Sequence, residues 1–390
     1  MINILYLHAG AELYGADIVM LELLKNLNKD KFKPYVILPS NGPLVKELNE
    51  NNIEVEVIEY PILRRKYFNP VGLVKYIIDY IKYTKKLKKI AIDKNIDIVH
   101  SNTLAVLEGV YLKRTLDIKH IWHIHEIIIK PAIIHKSLSF LVSKNSDKVI
   151  TVSNAVKKHL YDTGYFDNTD IRIIYNGVDE KFNKENDSSY LMKEFNIPND
   201  AIVVGMIGRI NSWKGQGDFI DAIERVLEKN INTYAMIVGG VFEGEEWRID
   251  ELKNRISKIK DKNRIIFTEY RKDSQNIHSL YDIFVLPSIN PDPLPTVVLE
   301  AMASSTPIVG YRHGGICEMV QENYNGFLVD IRNIEDLASK INYLIENPNI
   351  RKKMGENSLK RQKELFSIKN YVENFEGIYS IKSIDRDVLK

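Results

Sequence analysis

The chain has 390 residues, of which 44% are hydrophobic and 27% charged, and its formal net charge is +2. This length suggests two domains of roughly 180 residues each, and the balanced charge gives no reason to expect a nucleic-acid partner. The single cysteine, Cys317, excludes an internal disulfide and a thiolate metal cage, and no apolar run approaches the roughly 18 residues of a membrane span.

Strand-like apolar segments alternate with helical segments through the first half of the chain. The first helix is predicted over 16–27. The predicted strands are 2–7, 35–38, 55–58, 98–100, 120–125, 148–152 and 171–174. Such alternation is typical of a parallel sheet flanked by helices.

A polar, turn-rich stretch over 180–200 predicts a linker, after which a second series of the same kind begins. Helices are predicted near 219–228, around 249–259 and from Thr296. The strands predicted in this half are 202–207, 234–238, 265–267, 283–286, 308–309 and 326–329. The expected fold class is therefore α/β, with two doubly wound domains that face each other across a cleft and bind ligands beyond the carboxyl ends of their strands.

A basic segment lies between residues 64 and 94, where ten lysines and arginines face only two aspartates. Apolar and aromatic residues recur within it at helical spacing: Leu73, Tyr76, Ile77, Tyr80, Ile81, Thr84 and Leu87. This pattern predicts a basic amphipathic helix. Either it is a surface helix with a solvated lysine face, or it docks on anionic lipid headgroups. Because the amino terminus lacks the basic leader of an export signal, we expect a cytoplasmic protein, at the inner face of the membrane if the helix docks.

Two acids, Asp292 and Glu300, bracket the start of a predicted helix after the strand 283–286. Pro295 suits the first helical position, so that the amides of Thr296 and Val297 point out of the helix start. An anion is stabilised at such a position. Two carboxylates beside an anion site fit a nucleotide sugar, with the diphosphate at the helix and the acids on hydroxyls of the ribose and the sugar.

Each half also has a glycine turn between its first strand and first helix. The turn at 10–17, which contains Gly15, lets backbone approach a phosphate or sugar, although for this motif taken alone a plain tight turn is the simpler explanation. In the second half Arg209 and Lys214 stand in the equivalent turn, and a basic pair at the end of a strand suits a diphosphate leaving group.

His125 ends a predicted strand, and His123 lies on the same face by the two-residue period. A strand histidine is commonly a hydrogen-bonded core residue, so the alternative to a catalytic role is a structural one. A metal site of His123, His125 and Glu126 is disfavoured, because one short stretch seldom supplies every ligand.

Taken together, the motifs carry a family resemblance that runs in the same order over nearly the whole chain. They are Gly208-Arg209 with Lys214-Gly215, Asn176-Gly177-Val178-Asp179, Thr151-Val152-Ser153, Phe284-Val285-Leu286-Pro287-Ser288, Asp292 to Glu300 with Ala301-Met302-Ala303, and Pro307-Ile308-Val309 through Gly314-Gly315. This set resembles the retaining glycosyltransferases of family 4, which implies the GT-B fold. The implied domains are an acceptor-binding Rossmann-like domain over 1–180, a nucleotide-sugar-binding one over 181–367, and a closing helix over about 368–390 that crosses back onto the first.

The resemblance also implies roles for individual residues. Arg209 and Lys214 would bind the diphosphate, Asp292 and Glu300 would hold hydroxyls of the donor sugar and its ribose, and His125 would contact the transferred sugar. The implied catalytic residues are His125, Arg209, Lys214 and Asp292. The implied donor-binding residues are Gly15, Arg209, Lys214, Asp292, Leu294, Pro295, Thr296, Val297 and Glu300.

The chain departs from the family pattern between the two acids. The common pattern has glutamate at 292 and glycines at 293 and 295, whereas this chain has Asp292, Pro293 and Pro295. Aspartate is one methylene shorter, and Pro295 removes a backbone donor. The departure bears on which sugar is carried, and the loop 268–273 does not distinguish a uracil from a guanine base.

The expected function is transfer of a sugar from a UDP- or GDP-linked donor to a lipid-linked or saccharide acceptor in surface-polysaccharide biosynthesis, with retained configuration and without a metal or other cofactor. The alternatives are a nucleotide-sugar epimerase of the same architecture and a non-catalytic sugar-nucleotide-binding subunit. A dinucleotide dehydrogenase is less favoured, because neither glycine turn has the required fingerprint.

Overall fold

The computed structural model describes residues 1–116, 118–166, 171–179 and 181–381. The described chain divides into two compact units, the first formed by Met1–Gly177 with the chain from Ile368 onward, the second by Val178–Ser367. The polar stretch predicted as a linker is not one, because it lies within the second unit and contains a short helix, Ser189–Glu194.

The first unit is a parallel sheet with helices on both faces. Its strands are β1 (Ile2–His8), β2 (Phe32–Leu38), β3 (Glu54–Val57), β4 (Ile98–Asn102), β5 (Lys119–Ile124), β6 (Lys148–Thr151) and β7 (Ile171–Ile173). Its helices up to residue 177 are α1 (Gly15–Asn26), α2 (Pro43–Glu50), α3 (Pro70–Asp93), α4 (Glu108–Leu116), α5 (Ala132–Asn145) and α6 (Asn154–Tyr161).

The second unit repeats this plan. Its strands are β8 (Ile202–Ile207), β9 (Thr233–Val238), β10 (Ile265–Thr268), β11 (Ile283–Leu286), β12 (Ile308–Tyr311) and β13 (Gly326–Val329). Its helices are α7 (Ser189–Glu194), α8 (Gln216–Lys229), α9 (Trp247–Ser257), α10 (Ser274–Leu280), α11 (Thr296–Ala303), α12 (Ile316–Met319), α13 (Ile334–Glu346) and α14 (Pro348–Leu365). The last helix, α15 (Ile368–Ser380), belongs to the first unit.

Both sheets reverse their strand order at one point. The order is β3-β2-β1-β4-β5-β6-β7 in the first unit and β10-β9-β8-β11-β12-β13 in the second, and the pairs on either side of the reversal are parallel. The chain winds outward from β1 or β8 and then returns to the other side of the same strand. In open parallel sheets this switch point, at the carboxyl ends of the strands, is where ligands bind.

The alternating side chains of β1 show how a sheet is covered on both faces. Ile4 and Tyr6 pack in a cluster with residues of α1, α2 and α15, whereas Leu5 and Leu7 pack on the other face with residues of α3 and α4. Successive side chains of a strand point to opposite faces, so a strand buried on both faces must be apolar throughout. The unbroken apolar run at the amino terminus is therefore typical of a central strand.

Helix α15 is fastened to the first unit by buried polar contacts as well as by packing. The hydroxyl groups of Tyr6 and Tyr379 lie 2.9 Å apart, and the Tyr379 hydroxyl lies 2.8 Å from Nδ1 of His100. The Asn28 amide donates to Glu376 at 2.7 Å. The helix was predicted to run to about residue 390, but α15 ends at Ser380, and residues 382–390 lie outside those described.

The predicted α/β class with two Rossmann-like sheets is confirmed, whereas the apolar stripe predicted on α3 is only partly buried. Tyr76, Thr84 and Leu87 are buried against the core. Other members of the stripe leave between 48% and 51% of their surface exposed: Leu73, Ile77 and Ile81. Positions four residues apart drift around a helix of 3.6 residues per turn, and this drift carries Ile77 and Ile81 away from the core.

Glu108, at the start of α4, is a completely buried acid. Neither of its carboxyl oxygens has a hydrogen-bond partner in the described part of the chain. The nearby amides of Leu107 and Glu108 lower its pKa somewhat without making a well-formed hydrogen bond, but burial outweighs them and raises the pKa to about 8. Glu108 is therefore mostly protonated in neutral solution.

Glu108→Gln is expected to stabilise the protein above pH 4.5, increasingly up to about pH 8. Between these values the folded state keeps a proton that the unfolded state has released, so stability falls as the pH rises, by up to about 5 kcal/mol. Glutamine has the same shape and no proton to lose. The melting temperature of this variant, measured across the range, should therefore exceed that of the wild type most at the alkaline end.

The exposed Glu59, changed to Gln, is the matched control and should follow the wild-type curve. If Glu108→Gln keeps the wild-type dependence of melting temperature on pH, the buried acid does not titrate as described.

Candidate active site

The loop between β8 and α8 is shaped by local hydrogen bonds and one glycine. Oδ1 of Asn211 accepts from the amides of Trp213 and Lys214, at 3.1 and 2.9 Å, which turns the chain sharply. Gly215 follows with φ +83°, and a β-carbon there would lie 1.9 Å from the carbonyl oxygen of Pro287. Only glycine fits this position without displacing backbone. The loop is therefore held against the end of β11, the strand beside β8.

Lys214 and Asp292 form a nearly buried ion pair at this switch point. Lys214 Nζ lies 2.6 Å from Oδ2 of Asp292, and the two side chains are only 13% and 11% exposed. The Ser288 hydroxyl donates to the same oxygen at 3.2 Å. Buried charges are tolerated when they are paired and hydrogen-bonded, as here. The structure thus brings together Lys214, predicted to bind the diphosphate, and Asp292, predicted to bind the sugar.

Arg209 leaves the end of β8 and lies against an aromatic ring. Its guanidinium carbon is 3.8 Å from the ring centroid of Phe242, which is 50% exposed and follows β9. The Gln216 side chain donates to the Arg209 carbonyl at 3.0 Å. Arg209 therefore remains at the carboxyl edge of the sheet, with its cation stacked on a ring, an arrangement that favours a guanidinium.

Helix α11 begins at Thr296 as predicted, but Pro295 lies one residue before the first helical position that its chemistry suggested. Pro295 is the capping residue and Thr296 the first helical one, with the Val298 amide donating to the Pro295 carbonyl at 3.1 Å. Proline has a fixed φ near the value found here, −68°, so it can end the loop as well as begin the helix. The amino end of α11, with Thr296 and Val297 half-buried, still presents the positive end of a helix dipole beside Asp292.

The loop before α11 is packed tightly against the following turn. The Gly315 amide donates to the Asp292 carbonyl at 2.7 Å, and a β-carbon on Gly315 would lie 2.1 Å from the carbonyl oxygen of Pro293. Leu294 and Asp292 are both buried. Leu294, predicted to bind the donor, therefore has an apolar packing position in the structure.

Glu300 is oriented by His278, a histidine that sequence reasoning did not single out. His278 Nε2 lies 3.0 Å from Oε2 of Glu300, and the imidazole is completely buried among Phe182, Tyr281 and Phe284. A carboxylate can only accept here, so Nε2 carries the proton. One oxygen of the half-buried Glu300 is thereby fixed, and the ring has no room to turn away.

In the first unit, Gly15 is not part of a left-handed turn. It is the first residue of α1, and a β-carbon there would meet no described atom within 4 Å. The preceding loop is closed instead by Asp17, whose Oδ2 accepts from the Tyr14 amide at 3.0 Å. The open side of Gly15 is compatible with the close approach of a ligand, which its sequence position predicted.

His125 lies one residue beyond the end of β5, not within the strand as predicted. Its Nε2 is 2.8 Å from Oδ1 of Asn102 and 3.1 Å from Nδ1 of His123. Burial and, to a smaller extent, the nearby His8 lower the pKa of His125 to about 3. The ring is therefore neutral under ordinary conditions. His123 is almost completely buried, and burial holds its pKa well below the usual range as well.

The predicted residues thus fall into two groups, one at the carboxyl edge of each sheet. Five residues that sequence reasoning did not assign to the site form hydrogen bonds with the predicted residues or with one another: His8, Asp17, Asn102, His278 and Ser288. The local sequence signal was weak, since only Asp17 has the position of a capping residue in a helix. The others become neighbours of the predicted residues through strand pairing and helix packing.

No three histidine, cysteine, aspartate or glutamate side chains of the described residues lie together as a metal ion would require. In the same ranges, every helix is too short or too polar to cross a membrane.

Two family models together match most of the chain. Residues 14–182 match Glycosyltransferase Family 4, and residues 187–361 match Glycosyl transferases group 1. An uncharacterised glycosyltransferase of Methanocaldococcus jannaschii is 30% identical over 381 residues, covering 92% of this chain and 98% of the relative. The Escherichia coli UDP-Gal:α-D-GlcNAc-diphosphoundecaprenol α-1,3-galactosyltransferase is 27% identical, covering 84% of each chain.

Solved structures show the same architecture. The Anabaena protein HepE, crystallised in complex with UDP and glucose, superposes with a TM-score of 0.82 at 24% identity, covering 98% of this chain and 100% of HepE. This likeness shows that the two Rossmann-like units form a GT-B fold. The chain is therefore a glycosyltransferase and belongs to glycosyltransferase family 4.

Proposed function

We propose that this glycosyltransferase moves a sugar from a nucleoside diphosphate sugar, linked to UDP or GDP, to a hydroxyl of a lipid-linked or saccharide acceptor. The anomeric configuration is retained, and no metal ion is needed. The observation that carries this proposal is the nearly buried pair of Lys214 and Asp292 at the switch point of the second sheet. A cation and a carboxylate held there suit a ligand that carries phosphate at one end and sugar hydroxyls at the other.

The relatives support the choice of substrates. HepE binds UDP and glucose, and the galactosyltransferase from E. coli takes its sugar from UDP-Gal and attaches it to a sugar on diphosphoundecaprenol. A capsular polysaccharide glycosyltransferase of Staphylococcus aureus is 24% identical over 237 residues. We therefore assign this enzyme to the assembly of a surface polysaccharide at the cytoplasmic side of the membrane.

The chemical step is the departure of the diphosphate from the anomeric carbon. Arg209, Lys214 and the amino end of α11 stabilise the negative charge that develops on the leaving oxygen. These fixed charges do the work for which other enzymes use a divalent ion. Glu300, steadied by His278, holds the ribose hydroxyls, while Asp292 and His125 hold hydroxyls of the transferred sugar.

Retention follows from attack on the face that the leaving group vacates. The acceptor oxygen bonds to the anomeric carbon as the bond to the phosphate oxygen breaks, and the acceptor proton passes to the departing phosphate. Asp292 is unsuited to act as a nucleophile on the opposite face, since its Oδ2 is held by both Lys214 and Ser288. A double displacement through a covalent sugar ester is therefore not part of this scheme.

A donor panel with a chelator present tests the proposal. One nucleoside diphosphate and its sugar should raise the melting temperature more than the others, because ligands that bind only the native state stabilise it. The same donor should support transfer in excess EDTA. NMR of the first product should show the anomeric configuration of the donor. An inverted linkage, or turnover that disappears with EDTA, would contradict the mechanism.

The product also separates the alternative functions. A new sugar nucleotide without acceptor would indicate an epimerase, and binding without turnover of any acceptor would indicate a binding subunit.

Replacing either cation of the site should impair transfer without unfolding the protein. Arg209→Ala or Lys214→Ala is expected to lower kcat/KM by about 10²–10³, the usual effect of removing a group that stabilises developing charge. The exposed Lys260, changed to Ala, is the control for loss of a lysine in the same unit. Steady-state kinetics with the best donor gives the comparison.

The pair should also act as a unit. Asp292→Ala and Lys214→Ala combined are expected to reduce the rate little more than the worse single change, since each removes the partner of the other. Fully additive losses would mean that Lys214 and Asp292 act on the substrate independently.

The outward face of α3 supports membrane contact by this enzyme. Its first half is apolar, and each of these side chains is at least 48% exposed: Val71, Val74, Ile77, Ile78 and Ile81. Its second half carries exposed lysines on the same side: Lys82, Lys85 and Lys89. An exposed apolar patch bordered by lysines fits a bilayer with anionic headgroups, where apolar side chains enter the interface and each lysine contributes about 1 kcal/mol.

Vesicle binding tests this contact. Changing Lys75, Lys82, Lys85 and Lys89 together to Gln should weaken co-sedimentation with vesicles of phosphatidylglycerol and phosphatidylcholine by at least about tenfold, because these lysines supply the electrostatic attraction. Wild-type binding should fall as salt is added, since salt screens exposed charges.

The matched control removes the same charge from the exposed face of α14, by changing Lys352, Lys353, Lys360 and Lys363 to Gln. Equal losses in the two variants would reduce the effect to net charge and remove α3 as the docking face.

A further inference from the structure

A line of buried polar contacts crosses the switch point of the first unit and ends at His125. Asp17 Oδ1 lies 2.6 Å from Nε2 of His8, and Nδ1 of His8 lies 2.8 Å from Nδ2 of Asn102. Oδ1 of Asn102 then lies 2.8 Å from Nε2 of His125. His8 and Asn102 are opposite each other in the register of β1 and β4, so strand pairing itself aligns the line.

The direction of the hydrogen bonds in this line follows from Asp17 and from the side of the Asn102 amide that faces His8. The Asp17 carboxylate can only accept, and Nδ2 of Asn102 can only donate, so His8 carries its proton on Nε2 and offers a lone pair at Nδ1. The Asn102 amide then donates its N–H to His8 and turns its oxygen toward His125. That oxygen can only accept, so His125 must carry its proton on Nε2.

The other neighbour of His125 agrees with this assignment. Nδ1 of His123 lies 3.1 Å from the same Nε2, where a lone pair can share the proton of His125. The ring hydrogen bonds of His125 among the described residues all involve Nε2. Nδ1 of the neutral ring is therefore an acceptor, and it lies on the side of the ring that the line does not occupy.

We propose that Asp17, His8 and Asn102 are positioning residues that fix the tautomer of His125, so that its Nδ1 accepts a hydrogen bond from a hydroxyl of the sugar being transferred. This inference rests on the role given to His125 in the proposed function. It adds residues that do not touch the substrate but decide which nitrogen meets it. A histidine with the opposite tautomer would present an N–H, which cannot accept from a hydroxyl in that position.

Asp17 also ties this line to the loop that precedes α1. Its second oxygen, Oδ2, accepts from the Tyr14 amide at 3.0 Å, next to Gly15. One carboxylate thus holds the loop with one oxygen and sets the tautomers with the other. The loop follows β1 and His125 follows β5, and the buried Asp17 carboxylate orients both.

Nitrogen-15 NMR of the histidine rings reads the tautomers directly. The ligand-free full chain, labelled at its nine histidines, is measured near neutral pH, and His125→Gln identifies the signals of His125. The wild type should show His125 protonated at Nε2 and bare at Nδ1. A wild-type ring protonated at Nδ1 would overturn the proposal, because the Asn102 amide would then be reversed.

Asp17→Asn is the decisive variant, since it changes a residue that does not touch His125. The new amide can offer either its oxygen or its N–H to His8, so the whole line can reverse, and His125 should show both tautomers. Transfer should slow by about two- to tenfold, as expected for losing one neutral hydrogen bond in part of the population. An unchanged tautomer of His125 would overturn the relay.

The double variant Asp17→Asn with Asn102→Asp supplies a rescue. A carboxylate at 102 can only accept, so it should restore the Nε2 proton of His125, and with it most of the transfer rate, whatever stands at 17. A merely structural role for Asp17 predicts no such recovery. Asp147→Asn is the matched control, because Asp147 accepts from the His120 amide at 2.8 Å and lies away from the line.

The two readouts also separate this inference from the proposed function. The NMR assignment needs no substrate, so tautomers that change as described while transfer stays constant would remove His125 from the site without affecting the choice of donor. Transfer that fails with every donor would overturn the proposed function and leave the tautomers to be judged by NMR alone.

Discussion

The arrangement of this enzyme depends on the parallel direction of its strands. Because every strand of a sheet points the same way, each loop that leaves a carboxyl end arrives at the same edge, and the reversal of strand order separates two neighbouring loops there. In the second unit those loops follow β8 and β11, which is why residues as distant in sequence as Lys214 and Asp292 form an ion pair. In the first unit the strands concerned are β1 and β4, and their last residues, His8 and Asn102, share a hydrogen bond.

Both edges are buried polar clusters, and the same electrostatic constraint governs each. A charge or dipole removed from water must find partners, or the group changes its protonation state. At the second edge Lys214 forms an ion pair with Asp292, and the His278 ring donates a hydrogen bond to Glu300. At the first edge burial instead keeps His125 neutral, so the orientation of its ring is set by hydrogen bonds and not by an ion pair. Glu108, which is completely buried and has no well-formed hydrogen bond within the described residues, keeps its proton instead.

Sequence reasoning predicted the elements that have a strong local signal. The central strands were recognisable because residues buried on both faces are apolar without interruption, and the acids around α11 because a proline and a helix start stood between them. The fold class and family are confirmed, while the substrate roles of the individual residues remain predictions. The basic helix α3 was also predicted correctly. Which of its apolar residues are exposed could not be predicted, since that depends on how wide a surface packs against the helix.

What the sequence could not predict are partners that meet only in three dimensions. Nothing near His278 in the chain indicates that it faces Glu300, because the contact results from packing α10 against α11. The position of Pro295 was misjudged by one residue, since proline suits both a helix cap and a first helical turn. His125 was placed in a strand that ends just before it, where pairing with β6 stops at Ile124.

The return of the chain to the first unit has a consequence for biosynthesis. Val178 and Ser367 are bridged, so the second unit begins and ends at neighbouring points and is in effect an insertion. The residues that cover Tyr6 and one face of β1 lie in α15, which is translated after the whole second unit. During translation the later-made unit can therefore complete its core while the earlier-made one still exposes apolar surface, reversing the usual amino-to-carboxyl order of domain folding.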